Sequence, residues 1–212
     1  SSIQGKRRKT DRVAPIVTPH VTLREKDIEQ VHLCLGTASM GGYASGIYTV
    51  HLLNNILGGG ISSRLYQSIR EERGLVYTVF SAQSGYSDGG LITVYAGMRP
   101  ANATQVIELV LREIAAIKTN GVTETELLRT KDQLKGGMLL GLESSGSRMS
   151  RIGKLETILG RQITIDEVVA QIDSVTIADI QEMAQRIFCP QGLCLTALGP
   201  IAGVSLPTKL DF

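Results

Sequence analysis

Two polar side chains mark the place in this sequence where chemistry could be done. Arg70 and Tyr77 lie on either side of Gly74, the first on the last turn of an expected short helix, the second on the expected strand just beyond it. A tight helix-to-strand reversal brings two such side chains side by side, offering a guanidinium fork and a phenolic hydroxyl to the same acceptor. Such a pair suits a developing oxyanion. Spacing alone favours a plainer reading, because Glu71, Glu72 and Arg73 adjoin Arg70 and an ordinary charged surface would look the same.

Just upstream, Gly58, Gly59 and Gly60 precede Ser62 and Ser63. A glycine-rich turn of this kind can hold a phosphate, cradle an extended peptide, or form a corner where two helices meet. A phosphate loop requires a strand before the turn and usually a lysine beside the serine or threonine. Here Tyr43, Ile47, Val50, Leu53 and Leu57 recur at the spacing of a helical face before the glycines, and no lysine follows them. On these residues alone the corner is the strongest reading.

Metal chemistry finds little support. The three histidines are His20 and His32 in strand-like segments and His51 on the expected helix, and none lies in H-x-x-E-H or H-E-x-x-H. The stretch "HLLNN" from His51 has the outer frame of the first motif, with Asn54 in place of the base and Asn55 in place of the second imidazole. An amide cannot take a proton from zinc-bound water and replaces a histidine ligand poorly. Cys34, Cys189 and Cys194 are too few and too irregularly spaced for a disulfide framework or a zinc ribbon, and their odd number points to a reducing compartment, the cytoplasm.

The elements that must position these residues follow from periodicity. Residues 19–39 alternate as half-buried strands, ended by Gly41 and Gly42. Ser62 or Ser63 is an expected N-cap for a short helix carrying Leu65 and Ile69 inward, with Gly74 as its left-handed terminator. Residues 75–98 read as two strands around Ser87-Asp88-Gly89-Gly90. Val106, Val110, Ile114 and Ile117 form one helical stripe, and Leu127, Leu134, Met138 and Leu142 another, capped by Thr123. Shorter helices are expected at about 146–159, 164–172 and 176–187, with a closing strand at 192–199. Strands at the two ends, hairpins between neighbours and helices in the second half predict an α+β fold, an antiparallel sheet with helices on one side.

At 212 residues and 42% hydrophobic, the chain is long enough to bury a core, and no apolar run approaches the length of a membrane span. Lys6, Arg7, Arg8, Lys9 and Arg12 crowd the beginning, leaving 17 basic against 19 acidic residues beyond it. With aromatic residues at only 4%, neither a basic groove nor stacking platforms for nucleic acid are indicated. The basic run reads as a solvated linker. The opening Ser1-Ser2, without methionine, leads us to expect a piece of a longer chain.

The stretch "LGGGISSRLYQSIREERGLVYTVFSA" resembles the glycine-loop and R-x6-Y signature in the C-terminal halves of pitrilysin-family (insulinase-like) zinc peptidases, especially bacterial relatives of the mitochondrial processing peptidase. The likeness runs from "HVTLREKDIEQVHLCLG" through "GVTETELLRTKDQLKGGMLLGLES" to "LTALGP", most of the chain. It implies two similar α+β halves that close on a peptide substrate, with the zinc ligands and base in the N-terminal half, which this chain lacks. Residues 1–18 would be the end of the linker or a remnant, 19–200 the non-zinc domain, and 201–212 a tail. By the same resemblance Arg70 and Tyr77 bind substrate and oxyanion across the cleft, and Gly58, Gly59, Gly60 and Ser62 contact the extended peptide. "HLLNN" would be this half's counterpart of the zinc helix. No cofactor is expected in this chain, with zinc in the N-terminal half. The expected partners are that half, a peptide substrate and a second subunit in a homodimer or heterodimer; neither nucleic acid nor membrane is expected. The resemblance leaves two readings: the substrate-binding half of an active zinc endopeptidase, inert alone, or a non-catalytic partner subunit or scaffold of the same family.

Overall fold

The computed structural model describes residues 13–207 and residue 210; the basic run from Lys6 to Arg12 lies outside the described residues. Alternation does what period two requires in the central strands. In β2 (Val31–Ser39) the residues Val31, Leu33, Leu35 and Thr37 are buried, and in β4 (Gly90–Met98) Ile92, Val94, Ala96 and Met98 are buried. With β1 (His20–Glu25), β3 (Val76–Gly85) and β5 (Leu193–Gly199) they form one sheet in the order β1-β5-β2-β4-β3.

The sheet is antiparallel except at one edge, where β1 runs parallel to β5 from His20 opposite Cys194 to Glu25 opposite Gly199. This corrects the expectation of hairpins between all neighbours. The chain reverses between β1 and β2, but β5 inserts between them. A strand placed between two antiparallel arms must run parallel to one and antiparallel to the other, and β5 is antiparallel to β2. The two strands of 75–98 form the expected hairpin, with Gly85 opposite Gly90.

Helices cover one face: α1 (Ile47–Gly58), α2 (Ala103–Asn120), α3 (Glu124–Gly141), α4 (Ser145–Leu159), α5 (Ile165–Ser174) and α6 (Ile177–Ile187). The core between layers includes Leu33, Leu53, Leu57, Ile114 and Phe188, each under 2% exposed. Burying each such side chain contributes about 1.5–3 kcal/mol. Thr123 caps α3 as expected, in a reciprocal box with Glu126, and Thr176 and Asp179 repeat the device on α6. Helix α4 is held differently, since Leu155 is its single buried residue.

Candidate functional site

The reversal that carries Arg70 is tighter in sequence and wider in coil than expected. The chain enters a helical turn at Arg64 and then opens into a π-helix over Tyr66–Glu71, with the amide of Glu72 donating to the carbonyl of Gln67 at 3.0 Å. Such widened turns are frequent at functional sites. Ile69, fully buried, anchors the segment, and its carbonyl accepts from the amide of Leu75 at 3.1 Å while Gly74 turns the chain at φ 61°. Arg70 is exposed beside this anchor. Neither serine caps the segment by its side chain: the hydroxyl of Ser63 donates back to the carbonyl of Gly60 at 2.6 Å, and the carbonyl of Ser62 accepts from Arg129 Nη2 at 2.8 Å. The hydroxyl is drawn backward because Ser63 is buried under the loop it closes.

Tyr77 is the second residue of β3, at a break in register. Val76 stands opposite Met98 and Thr78 opposite Gly97, so Tyr77 is the extra residue of a β-bulge. Bulges of this kind re-aim a side chain. The result is a half-exposed tyrosine whose hydroxyl oxygen accepts from Nε of Arg99 at 3.1 Å. The phenolic proton is left to donate elsewhere, and a charged donor on the oxygen strengthens it as a donor. The entry to β3 is fixed by Asn102 Nδ2, which donates to the carbonyl of Leu75 at 2.8 Å.

Arg70 is held by a ring. Its guanidinium carbon lies 4.9 Å from the centroid of Tyr66, one helical turn earlier. Cation–π stacking occupies the face of the guanidinium and leaves its in-plane N–H groups free. Among the described residues no hydrogen bond joins Arg70 to Tyr77; each has its own aromatic or cationic support.

The glycines have packing reasons. A Cβ on Gly58 would lie 2.6 Å from the backbone nitrogen of Ser81, and one on Gly59 would lie 2.2 Å from Asn55 Oδ1. Gly58 therefore lets the end of α1 press against β3, directly behind the bulged strand. Asn54 extends the same seam: Ser81 Oγ donates to its carbonyl at 2.9 Å, and its side-chain nitrogen reaches the Ser81 carbonyl at 3.4 Å. Arg64 ties the loop to α3 by a two-pronged ion pair, Nε to Glu126 Oε1 at 2.7 Å and Nη2 to Oε2 at 2.8 Å. Burial alone would push the Glu126 carboxyl up, but the hydrogen bonds from Arg64 and Thr123 outweigh it and hold the pKa at about 2.

The described residues do not fit zinc. Among the described residues no three His, Cys, Asp or Glu side chains come together as a metal site, and Asn54, at the place of a base, is engaged with Ser81. His51 is half-buried, and burial lowers its pKa. No helix among the described residues is long and apolar enough to cross a membrane.

Arg99 and Tyr66 were not among the residues that sequence reasoning selected. Tyr66 had a signal, standing four residues before Arg70 on one helical face. Arg99 had none, because its reach to Tyr77 depends on the bulge.

The Peptidase M16 inactive domain matches residues 2–134. The chain is 41% identical over 165 residues to the uncharacterized zinc protease YmxG of Bacillus subtilis, covering 78% of this chain and 40% of that protein. It is 39% identical over 181 residues to an uncharacterized zinc protease of Streptomyces coelicolor, covering 85% of this chain and 39% of that one. The chain thus spans about 40% of the length of these curated relatives. In fold it is similar to the crystal structure of a peptidase M16 inactive domain from Pseudomonas fluorescens, with a TM-score of 0.80 at 22% identity over 92% of this chain and 46% of that one. A protease from Helicobacter pylori matches with a TM-score of 0.77 at 19% identity over 85% of this chain and 44% of that one. With more than half of its residues matched, the chain belongs to the family of peptidase M16 inactive domains.

Proposed function

We propose that this chain is the substrate-binding, non-zinc half of a zinc metalloendopeptidase, inert alone and completed by an N-terminal half that supplies the metal and the base. Its substrates on this reading are peptides or presequence-like segments enclosed in a cleft between the halves. What supports the reading is that both side chains flank the Gly74 reversal with donors to spare among the described residues: Arg70 on a π-helix, stacked on Tyr66 by its face alone, and Tyr77 on a bulge, its oxygen accepting from Arg99. These donors bind the backbone around the scissile bond and stabilise the charge that develops on its carbonyl oxygen. Loss of one such donor lowers turnover by about 10²–10³-fold in comparable sites. Gly58, Gly59, Gly60 and Ser62 form the adjoining wall for the extended peptide, held in place by Arg64 and Arg129.

The test uses the full-length protein. Arg70→Ala and Tyr77→Phe each lower kcat while zinc content stays at the parent's level. Wild-type turnover in both variants removes the role assignment. A full-length protein that holds no zinc and cleaves nothing selects the partner-subunit reading instead.

A further inference from the structure

A polar cleft lies away from the Gly74 reversal, between the first turns of α1 and the helices α4 to α6, with a volume of about 730 Å³. Tyr43, Tyr48 and His51 line it from one side and Arg151 from the other. Among the described residues none of the three rings has a hydrogen-bond partner, and Arg151 uses a single nitrogen, Nη2, on the carbonyl of Ile163 at 2.8 Å. Tyr48 and His51 are neighbours, their ring centroids 6.1 Å apart. Burial raises the pKa of Tyr48, and the nearby charge of Arg151 works against that rise. Four side chains with unused hydrogen-bonding capacity thus converge on one concave space, beside an apolar wall of Leu155, Leu159 and Ile163.

The other charges clarify what fits. Arg161, at the rim, is paired through Nη1 with Glu167 at 3.3 Å, and Asp179 is engaged in capping α6 through Thr176. Arg151, which faces Tyr43, Tyr48 and His51 across the cleft and has no carboxylate partner among the described residues, is the cation left without a counter-charge there. An adjoining hollow of about 400 Å³ shares Tyr43, Arg151 and Leu155 with it and adds Lys154, so the groove continues past the guanidinium. One guanidinium fork matches the two coplanar oxygens of a carboxylate, and phenolic hydroxyls complete its acceptor sites.

We infer that this cleft binds a carboxylate-bearing chain end, the C-terminus of a peptide with an apolar last residue, through Arg151 with Tyr43, Tyr48 and His51. The carboxylate lies on the Arg151 fork and the terminal side chain against Leu155, Leu159 and Ile163. The site shares no residue with the Arg70 and Tyr77 pair and does not rest on the peptidase reading.

The test is equilibrium binding, on full-length protein pretreated with a chelator so that no peptide is cut. Three probes are compared: a fluorescent octapeptide ending in a free leucine carboxylate, the same peptide amidated, and inorganic phosphate as competitor. Charge-assisted hydrogen bonds of this kind predict that amidation weakens binding about 10- to 100-fold. Arg151→Gln should bring the free acid to the level of the amide. Arg151→Lys should recover part of the difference, Tyr48→Phe should lose part of it, and Arg70→Ala should leave it intact. Equal binding of acid and amide, binding of neither, or an Arg151→Gln variant that melts like the parent and binds unchanged overturns the site. Competition by phosphate at sub-millimolar concentration overturns the carboxylate in favour of a phosphate ligand. No readout depends on cleavage, so this site and the proposed function fail separately.

Discussion

Nε of Arg99 donates to the hydroxyl oxygen of Tyr77 across 3.1 Å, which fixes the direction in which the tyrosine can give its own proton. On the proposed function this makes Arg99 a positioning residue. In the full-length protein Arg99→Ala is then expected to lower kcat less than Tyr77→Phe, by about 10-fold against the 10²–10³-fold of a lost oxyanion donor, with KM little changed. Arg99→Lys, which restores a cation but not the rigid fork, should recover part of the loss. Steady-state kinetics of the three variants decide it, and an Arg99→Ala enzyme with parental kcat rejects the arrangement.

Two glycines should respond to alanine in opposite directions. At Gly58 the new Cβ would stand 2.6 Å from the Ser81 nitrogen and 2.8 Å from its hydroxyl, so α1 must retreat from β3 at a loss of about 1–3 kcal/mol. At Gly136, inside α3, nothing lies within 4 Å of the added carbon. There alanine removes backbone freedom from the unfolded chain and stabilises by about 0.5–1 kcal/mol. Thermal melts should show Tm falling for Gly58→Ala and rising for Gly136→Ala.

The Arg64–Glu126 pair gives the loop an acid limit. Glu126 has a folded pKa of about 2 against an ordinary value of 4.5, so its contribution to stability is fully present above pH 4.5 and lost as pH falls toward 2. The carboxylate is partly solvated, and screening reduces the contribution to about 1–2 kcal/mol. Glu126→Gln should lower the denaturation midpoint at pH 7, and the gap between variant and parent should close toward pH 2. A gap that is constant with pH would assign the loss to packing.

Much of the fold was legible because each helix carries its own local instructions. The apolar stripe from Val106 to Ile117, the Thr123 cap and the Gly74 turn are all written within a few residues of where they act. The place of β5 between β1 and β2 is a long-range choice, in which His32 finds Leu198, and no window of sequence contains both. The candidate site divides in the same way. Arg70 and Tyr77 were singled out through the reversal between them, and the supports that hold each were not equally legible. Tyr66 follows from helical spacing, whereas Arg99 depends on a one-residue slip in the pairing of β3 with β4. The glycines were read as a corner or a cradle, and their tight approach to Ser81 and Asn55 appears only when the layers are stacked.

Helix α4, which buries Leu155 as its single core residue, should behave as a hinged roof. Its amides are expected to exchange with deuterated solvent well before those of α1, whose Leu52, Leu53 and Leu57 are sealed in the core. The cleft beneath would then have a permanent floor and an intermittent ceiling. How long a guest stays is set by the lifetime of that ceiling, and a guest that bridges Tyr48 and Arg151 would slow the exchange of the roof itself.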